Sequence, residues 1–208
     1  MTKTLLTKLL YLYKNWYKYW KKFLTIIGDI KIFKTPMFVI YDNRPFDYNL
    51  RGRDIRQMED LLKPGDIVLR GYDHYLDGYL IPGKYSHSGI YVGDHNIIHA
   101  IAEGVCEVDV IDFLQCDRAC IMRPNKGQKK AIARAKKWIG TEYDFKFNSS
   151  DSSAFYCHEL CACCYKDNID VTAFYPNVFG KKEVLWLGKQ YLADSFIYND
   201  NFEKIIEK

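Results

Sequence analysis

From the amino terminus, apolar residues recur at Leu5, Leu6, Leu9, Leu10, Tyr13, Trp16, Tyr17, Trp20, Phe23, Leu24 and Ile27. Intervals of three and four belong to an amphipathic helix with a wide apolar face, and Lys14, Lys18, Lys21 and Lys22 fall mostly on its other side. After Pro36 the run MFVIYD predicts a short strand, followed by a polar loop through Arg44, Pro45 and Asn49. RDIRQMEDLL sets Ile55, Met58, Leu61 and Leu62 at helical intervals and stops at KPGD. The period then changes. DIVLRG, HSGIYVG, NIIHAI, GVCEVDVIDFL and RACIMRP are short alternating or continuous apolar runs between turn formers, and they predict strands. GQKKAIARAKKWIG returns to helical spacing and ends at Gly140, a C-cap candidate. SSDSSAFYCHELCACCYK passes from a polar loop into a helix, and residues 175–208 carry no clear period.

A run of strands followed by helices argues an α+β fold with a mostly antiparallel sheet. There is no βαβ alternation and no GxGxxG, which excludes a doubly wound nucleotide-binding fold. No internal repeat or low-complexity segment appears. The chain divides into a basic amphipathic helical extension, residues 1–35, and a body, residues 36–208.

Charge sharpens that division. Residues 1–34 hold eight lysines against Asp29 alone, or +7, and the net +4 of the whole leaves −3 on the remaining 174 residues. The body is near neutral and lacks the electrostatic footprint of a nucleic-acid partner. The extension, rich in lysine, tryptophan and tyrosine, suits an anionic membrane surface through residues 1–30, or packing on the body. Its lysines interrupt any twenty-residue window, so it neither spans a bilayer nor reads as a signal peptide. Seven cysteines, three of them within four residues (Cys161, Cys163, Cys164), suit reduced thiols packed as small apolar groups. Together these features place the protein in the cytoplasm, with peripheral attachment to a membrane as the variant. Cys161 and Cys164 form a lone CxxC, and Cys116 and Cys120 are four apart. Neither pair completes a metal site, and no metal or organic cofactor is expected.

Two stretches carry candidate chemistry. In SSAFYCHEL, Cys157 falls at or near a helix N-terminus, where free backbone N–H groups and the helix dipole favour a thiolate. The same N–H groups suit an oxyanion, that of Cys157 first. A packed structural thiol is the plain alternative. His158 follows directly and would point elsewhere on a helix, so a partner must come from further away. In YSHSGIYVGDHNIIHA, His87 and His99 are twelve residues apart across a hairpin, with His95 in the turn. A turn centred on Asp94 puts His87 and His99 on one face; a turn centred between Asp94 and His95 puts them on opposite faces. On a shared face, His99 can orient His87 as a base.

Taken together, KPGDIVL, YSHSGIYVGDHNIIHA, AIARAKKWIGTEYDFKF and FYCHELC resemble the circularly permuted branch of the NlpC-type papain-like cysteine hydrolases, the YiiX-like group above all. The resemblance covers about residues 63–165. It implies a permuted papain-like fold, an antiparallel sheet packed with helices, with Cys157 as nucleophile and His87 as base and then acid. Position 99 becomes the orienting third member, and no cofactor is required. Many YiiX-like members have glutamate there. The histidine of this chain is shared with the lecithin retinol acyltransferase-like branch, so substrate class is where the departure matters. Tyr143, Asp144 and Tyr156 are candidate substrate-binding residues. The implied activity is hydrolysis of an amide in a cell-wall-type peptide or lipid–amino acid conjugate. The rivals are a membrane-held lipid acyltransferase or thioesterase, and a lipid- or peptide-binding module without turnover.

Overall fold

The computed structural model describes residues 16–27, 30–34, 37–41, 48–73, 75, 81, 83–147, 153–175 and 188–208. Two compact units form, Met1–Arg44 with His74–Asp77, and Pro45–Asp73 with Gly78–Lys208.

In the first unit, helix α1 covers residues 16–27, within the stretch read as amphipathic; Leu5–Tyr13 lie outside the described residues. Trp16, Tyr19, Phe23 and Ile26 are exposed, at 58%, 71%, 50% and 43%, and recur at three- and four-residue steps along one face. Exposed Lys18 and Lys21 occupy the opposite side, and Lys22 borders the stripe between Tyr19 and Ile26. Strands β1 (Ile30–Lys34) and β2 (Met37–Tyr41) pair antiparallel as a hairpin. The MFVIYD strand is there, joined by a partner the sequence reading did not anticipate.

The second unit is built on one six-stranded sheet. Helix α2 (Gly52–Leu61) precedes β3 (Ile67–Gly71), β4 (His87–Gly93), β5 (Asn96–Ile101) and β6 (Gly104–Asp109). Then come α3 (Val110–Phe113), β7 (Arg118–Pro124), α4 (Gln128–Lys137), β8 (Glu142–Tyr143), β9 (Ala154–Phe155) and α5 (Cys157–Tyr165). A short α6 (Asp194–Ile197) and β10 (Phe202–Glu207) close the chain. Strand order is β10-β7-β3-β4-β5-β6, and every pair is antiparallel. The expected α+β class with an antiparallel sheet and packed helices is what the chain adopts. One detail differs: GVCEVDVIDFL is a strand only to Asp109. There the Asp109 carboxylate accepts the Ile111 N–H (2.7 Å) and caps a helical turn, which buries Val110 and Phe113 three residues apart.

Both sheet faces are covered, which is why β3 reads as a continuous apolar run and not as an alternation. On one face, Ile67, Leu69, Ile90 and Ile98 pack with Ala131, Ala135, Phe155, Leu160 and Tyr165 from α4, β9 and α5. On the other, Val68, Tyr91, Ile97 and Ile121 pack with Met58, Val110 and Phe113 from α2 and α3. Asp66 of the KPGD segment is 1% exposed. It accepts from Arg123 Nε (2.9 Å) and Nη2 (2.7 Å) and from the Lys63 N–H (2.8 Å), tying the entry of β3 to the end of β7.

Candidate active site

The β4–β5 hairpin turns through Asp94 and His95, both at positive φ (51° and 62°), as a two-residue turn of the mirror-image type requires. By symmetry this centre would put His87 and His99 on opposite faces. A bulge intervenes: Tyr91 pairs Ile97 while Gly93 pairs Asn96, so Val92 is the extra residue. Beyond the bulge Gly89 pairs His99, and His87, two residues earlier, lies on the same face as His99. Their rings meet, His87 Nε2 to His99 Nδ1 at 2.9 Å. His95 sits in the turn with its side chain 72% exposed and Nδ1 2.6 Å from Glu59 Oε1.

Phe113 is the floor of this pair. Its ring centroid is 5.7 Å from His87 and 5.5 Å from His99. A Cβ on Gly89 would lie 2.5 Å from Ile97 Cγ2 and 3.1 Å from Phe113 Cε2, so the glycine of HSG keeps room for that ring. Arg70, opposite His87 across the β3–β4 ladder, completes the group. Its guanidinium carbon stands 4.4 Å over the Phe113 ring, and Nη1 donates to Phe113 O (2.9 Å).

Cys157 arrives from the other side of β4. It is the first residue of α5, and Tyr156, with extended backbone, is the N-cap. The thiol donates to Ser86 O at 3.9 Å, beside His87 in sequence. Ser88 faces α5, where its hydroxyl lies 2.8 Å from His158 Nδ1; by strand alternation the His87 side chain leaves the opposite face. The thiol therefore rests against the backbone next to His87, and no hydrogen bond joins it to the His87 ring. His158, set aside in the sequence as pointing elsewhere, is buried behind Cys157 and ties α5 to β4.

The aromatic wall beyond the helix start comes from the YDFKF segment. Tyr143 packs on Phe145 (4.8 Å), Phe147 on Tyr156 (5.5 Å). Asp144 is buried and turns the chain, its carboxylate accepting from the Lys146 N–H (2.8 Å) and its own N–H donating to Phe155 O (3.2 Å). Tyr156 is buried and its hydroxyl accepts from the Tyr191 N–H (2.7 Å).

Burial dominates the electrostatics. It pushes the Cys157 thiol up to about 11, against smaller lowering contributions from the Ser88 and His158 backbone and the Arg70 charge. It also drives His87 well below its usual value, with Arg70 adding to the effect, and lowers His99 to about 3 for the same two reasons. His158 falls to about 4 by burial, partly offset by the Tyr85 backbone. Desolvation thus opposes the thiolate that the helix start favours, and it opposes the charged forms of the neighbouring imidazoles as well. Arg70, Phe113, Ser88 and His158 were missed as site residues. The one available signal was an arginine inside the apolar run DIVLRG.

All seven cysteines are free thiols. Among the described residues, no three His, Cys, Asp or Glu side chains are arranged to hold a metal ion, and no helix is long and apolar enough to cross a membrane.

A family model described as "permuted papain-like amidase enzyme, YaeF/YiiX, C92 family" matches residues 61–206. Among solved structures, the chain is similar to the metalloprotein yiiX from Escherichia coli O157:H7. The two share 15% identity at a TM-score of 0.55, over 70% of this chain and 97% of that one. The likeness extends to the fold. Comparison with curated proteins finds no match.

Proposed function

This chain belongs to the YaeF/YiiX group of permuted papain-like amidases, the C92 family, and from that premise we propose that Cys157, His87 and His99 are the working residues of a thiol-dependent amidase. The family carries the coarse statement, a papain-like amidase. The finer one rests on a single observation. A thiol at the first residue of a helix lies against Ser86 O, beside a histidine whose Nε2 is already held by a second histidine.

With Nε2 of His87 engaged, Nδ1 is the nitrogen left for the thiol proton. It must then be bare, so His87 carries its proton on Nε2 and donates to His99 Nδ1, and His99 carries its own on Nε2. In the reaction the Cys157 thiol turns from Ser86 O towards the start of β4, where His87 Nδ1 takes its proton as sulfur attacks the substrate carbonyl. The oxyanion develops at the start of α5, where the Cys157 N–H has no carbonyl partner within the helix. The C–N bond breaks, the amine leaves with the proton from His87, and a thioester remains on Cys157. Water, deprotonated by His87, releases the acid and restores the thiol. The substrate class is an amide in a cell-wall-type peptide or a lipid–amino acid conjugate, with Tyr143, Asp144 and Tyr156 as the substrate-binding residues.

One observation favours the acyltransferase reading of the same chemistry: the exposed aromatic stripe of α1 with lysines opposite it. That face suits an anionic bilayer, and an enzyme held there would pass its acyl group to a lipid acceptor. Incubation with peptide amides and with acyl lipids, followed by intact-mass analysis, tests both. An acyl adduct on Cys157, lost in His87→Ala, is expected, and its source names the donor. An adduct elsewhere, or undiminished in His87→Ala, overturns the assignment.

A further inference from the structure

Arg70 stands beside the histidine pair with part of its guanidinium unspent. Nη1 is committed to Phe113 O, but Nε is buried with no acceptor, and among the described residues no carboxylate pairs with this side chain. The contrast within the chain is direct. Arg123 uses its Nε–Nη2 edge to grip both oxygens of Asp66, at 2.9 and 2.7 Å, the planar fork that matches a carboxylate. Arg118 also has an unpartnered Nε, yet its charge is balanced by Asp73 at 2.6 Å. In Arg70 the Nε is buried without a partner and the charge is unbalanced. The side chain is held in place by stacking on Phe113 (4.4 Å) and Tyr72 (5.4 Å).

A buried donor without an acceptor costs free energy, and a buried cation without a counter-charge costs more. Both are tolerated here where the charge acts on the groups that must do chemistry. Arg70 lies directly across the ladder from His87, and its field disfavours the imidazolium at both His87 and His99. A third member that was an acid would offset this by carrying negative charge; His99 is neutral and cannot.

We propose that Arg70 is the receptor for a carboxylate on the substrate, placed beside the scissile acyl group, and that this carboxylate supplies the negative charge the triad lacks. The inference rests on the Cys157–His87 reading and names its substrate class: acyl compounds bearing a free carboxylate near the bond that is cut. With a carboxylate paired to the guanidinium, the cation is balanced and the His87 imidazolium is no longer opposed. Proton transfer from Cys157 then becomes favourable only when the right substrate is present.

Alkylation of the intact protein by iodoacetate and iodoacetamide, read peptide by peptide, tests this without knowledge of the natural substrate. The two reagents do the same chemistry at sulfur and differ in the carboxylate. Cys157 is expected to react about tenfold faster with iodoacetate than with iodoacetamide, the worth of one charge-assisted contact. R70Q, checked for folding by circular dichroism, is expected to lose that preference, and R118Q to keep it. Cys106 and Cys163 serve as internal references. Equal or reversed rates at Cys157 in the native chain, or a preference that survives R70Q, overturn the role of Arg70. If neither reagent reaches Cys157, the nucleophile assignment fails, and a second measurement still judges Arg70. The His87 ring should titrate at higher pH in acetate than in chloride at equal ionic strength, in the native chain and not in R70Q. No acetate dependence overturns the proposal.

Discussion

Acid should unfold this protein well before its carboxylates titrate, and the cause is histidine. His99 and His158 are 4% and 2% exposed, and burial holds them at about 3 and about 4, against 6.5 for the free side chain. A folded-state value below the unfolded one means that the unfolded chain binds more protons as pH falls through 6.5. The stability from keeping these rings neutral is therefore complete above 6.5 and lost on the acid side. Between pH 7.5 and 5 each ring contributes about 2 kcal/mol of loss, so the pair contributes about 4 kcal/mol. His87 shifts in the same direction but keeps part of its surface open, and adds less. Set against a typical total of about 5–15 kcal/mol, this is a large fraction. Carboxylates do not mask it: Glu207, held down to about 2 chiefly by its hydrogen bonds to Lys204 and Lys84, acts only below its usual 4.5. Urea unfolding followed by circular dichroism at half-unit steps from pH 7.5 to 5 gives the slope of free energy with pH. Near pH 5 it should approach at least two protons, about 2.7 kcal/mol per pH unit. His158→Gln should lower it by one. A slope below one proton throughout, or one unchanged in His158→Gln, refutes the reasoning.

Three further outcomes are expected. Arg123→Ala strands the Asp66 carboxylate at 1% exposure and should cost about 3–5 kcal/mol by chemical denaturation; a loss below about 1 kcal/mol would show that water replaces the arginine. Phe113→Ala removes the fully buried ring beneath His87 and His99, and should cost about 3–5 kcal/mol. It should also alter the His99 ring resonances by NMR, and unchanged resonances would contradict the packing. At pH 8 the half-buried Cys106 should react with a neutral maleimide before Cys157, which is 4% exposed and whose thiol burial pushes up to about 11. The Cys157 rate should climb about tenfold per pH unit towards that value, and fast labelling at pH 7 would contradict it.

How much of this was legible without coordinates depends on what each element answers to. Strands β3, β4, β5 and β7 and helices α2 and α4 follow from local periodicity, because their apolar positions face cores on fixed sides. Helix α5 was legible from its polar lead-in, which ends where CHEL begins. Strand β10 was not: FEKIIE carries too little alternation, and it is held by pairing with β7, a partner distant in sequence. Nor was α3, where a single capping aspartate ends a strand that apolar content alone would continue. The histidine pair was legible only as two alternatives, because the register turned on a bulge that no residue type in YVGDHN dictates. The desolvation that opposes the thiolate was not legible, because a dipole is a property of the helix, whereas desolvation is a property of everything packed around it. Arg70 showed only as an arginine inside an apolar run, since what sets it apart is an acceptor that its neighbours do not provide.

The bulge at Val92 also makes the hairpin's length a phase setting. Taking out that one residue would leave the two-residue turn intact and still close the β4–β5 ladder. His87 and His99, however, would then be carried to opposite sides of the sheet, with every side chain in one strand inverted relative to the other. A single added residue elsewhere between them would do the same, while a pair of added residues would restore the side and shift the rings along the strand. The twelve-residue interval is therefore a counted distance with a parity. A chain that drifted by one residue would keep its fold signature, both histidines and the cysteine, and lose the contact between its rings.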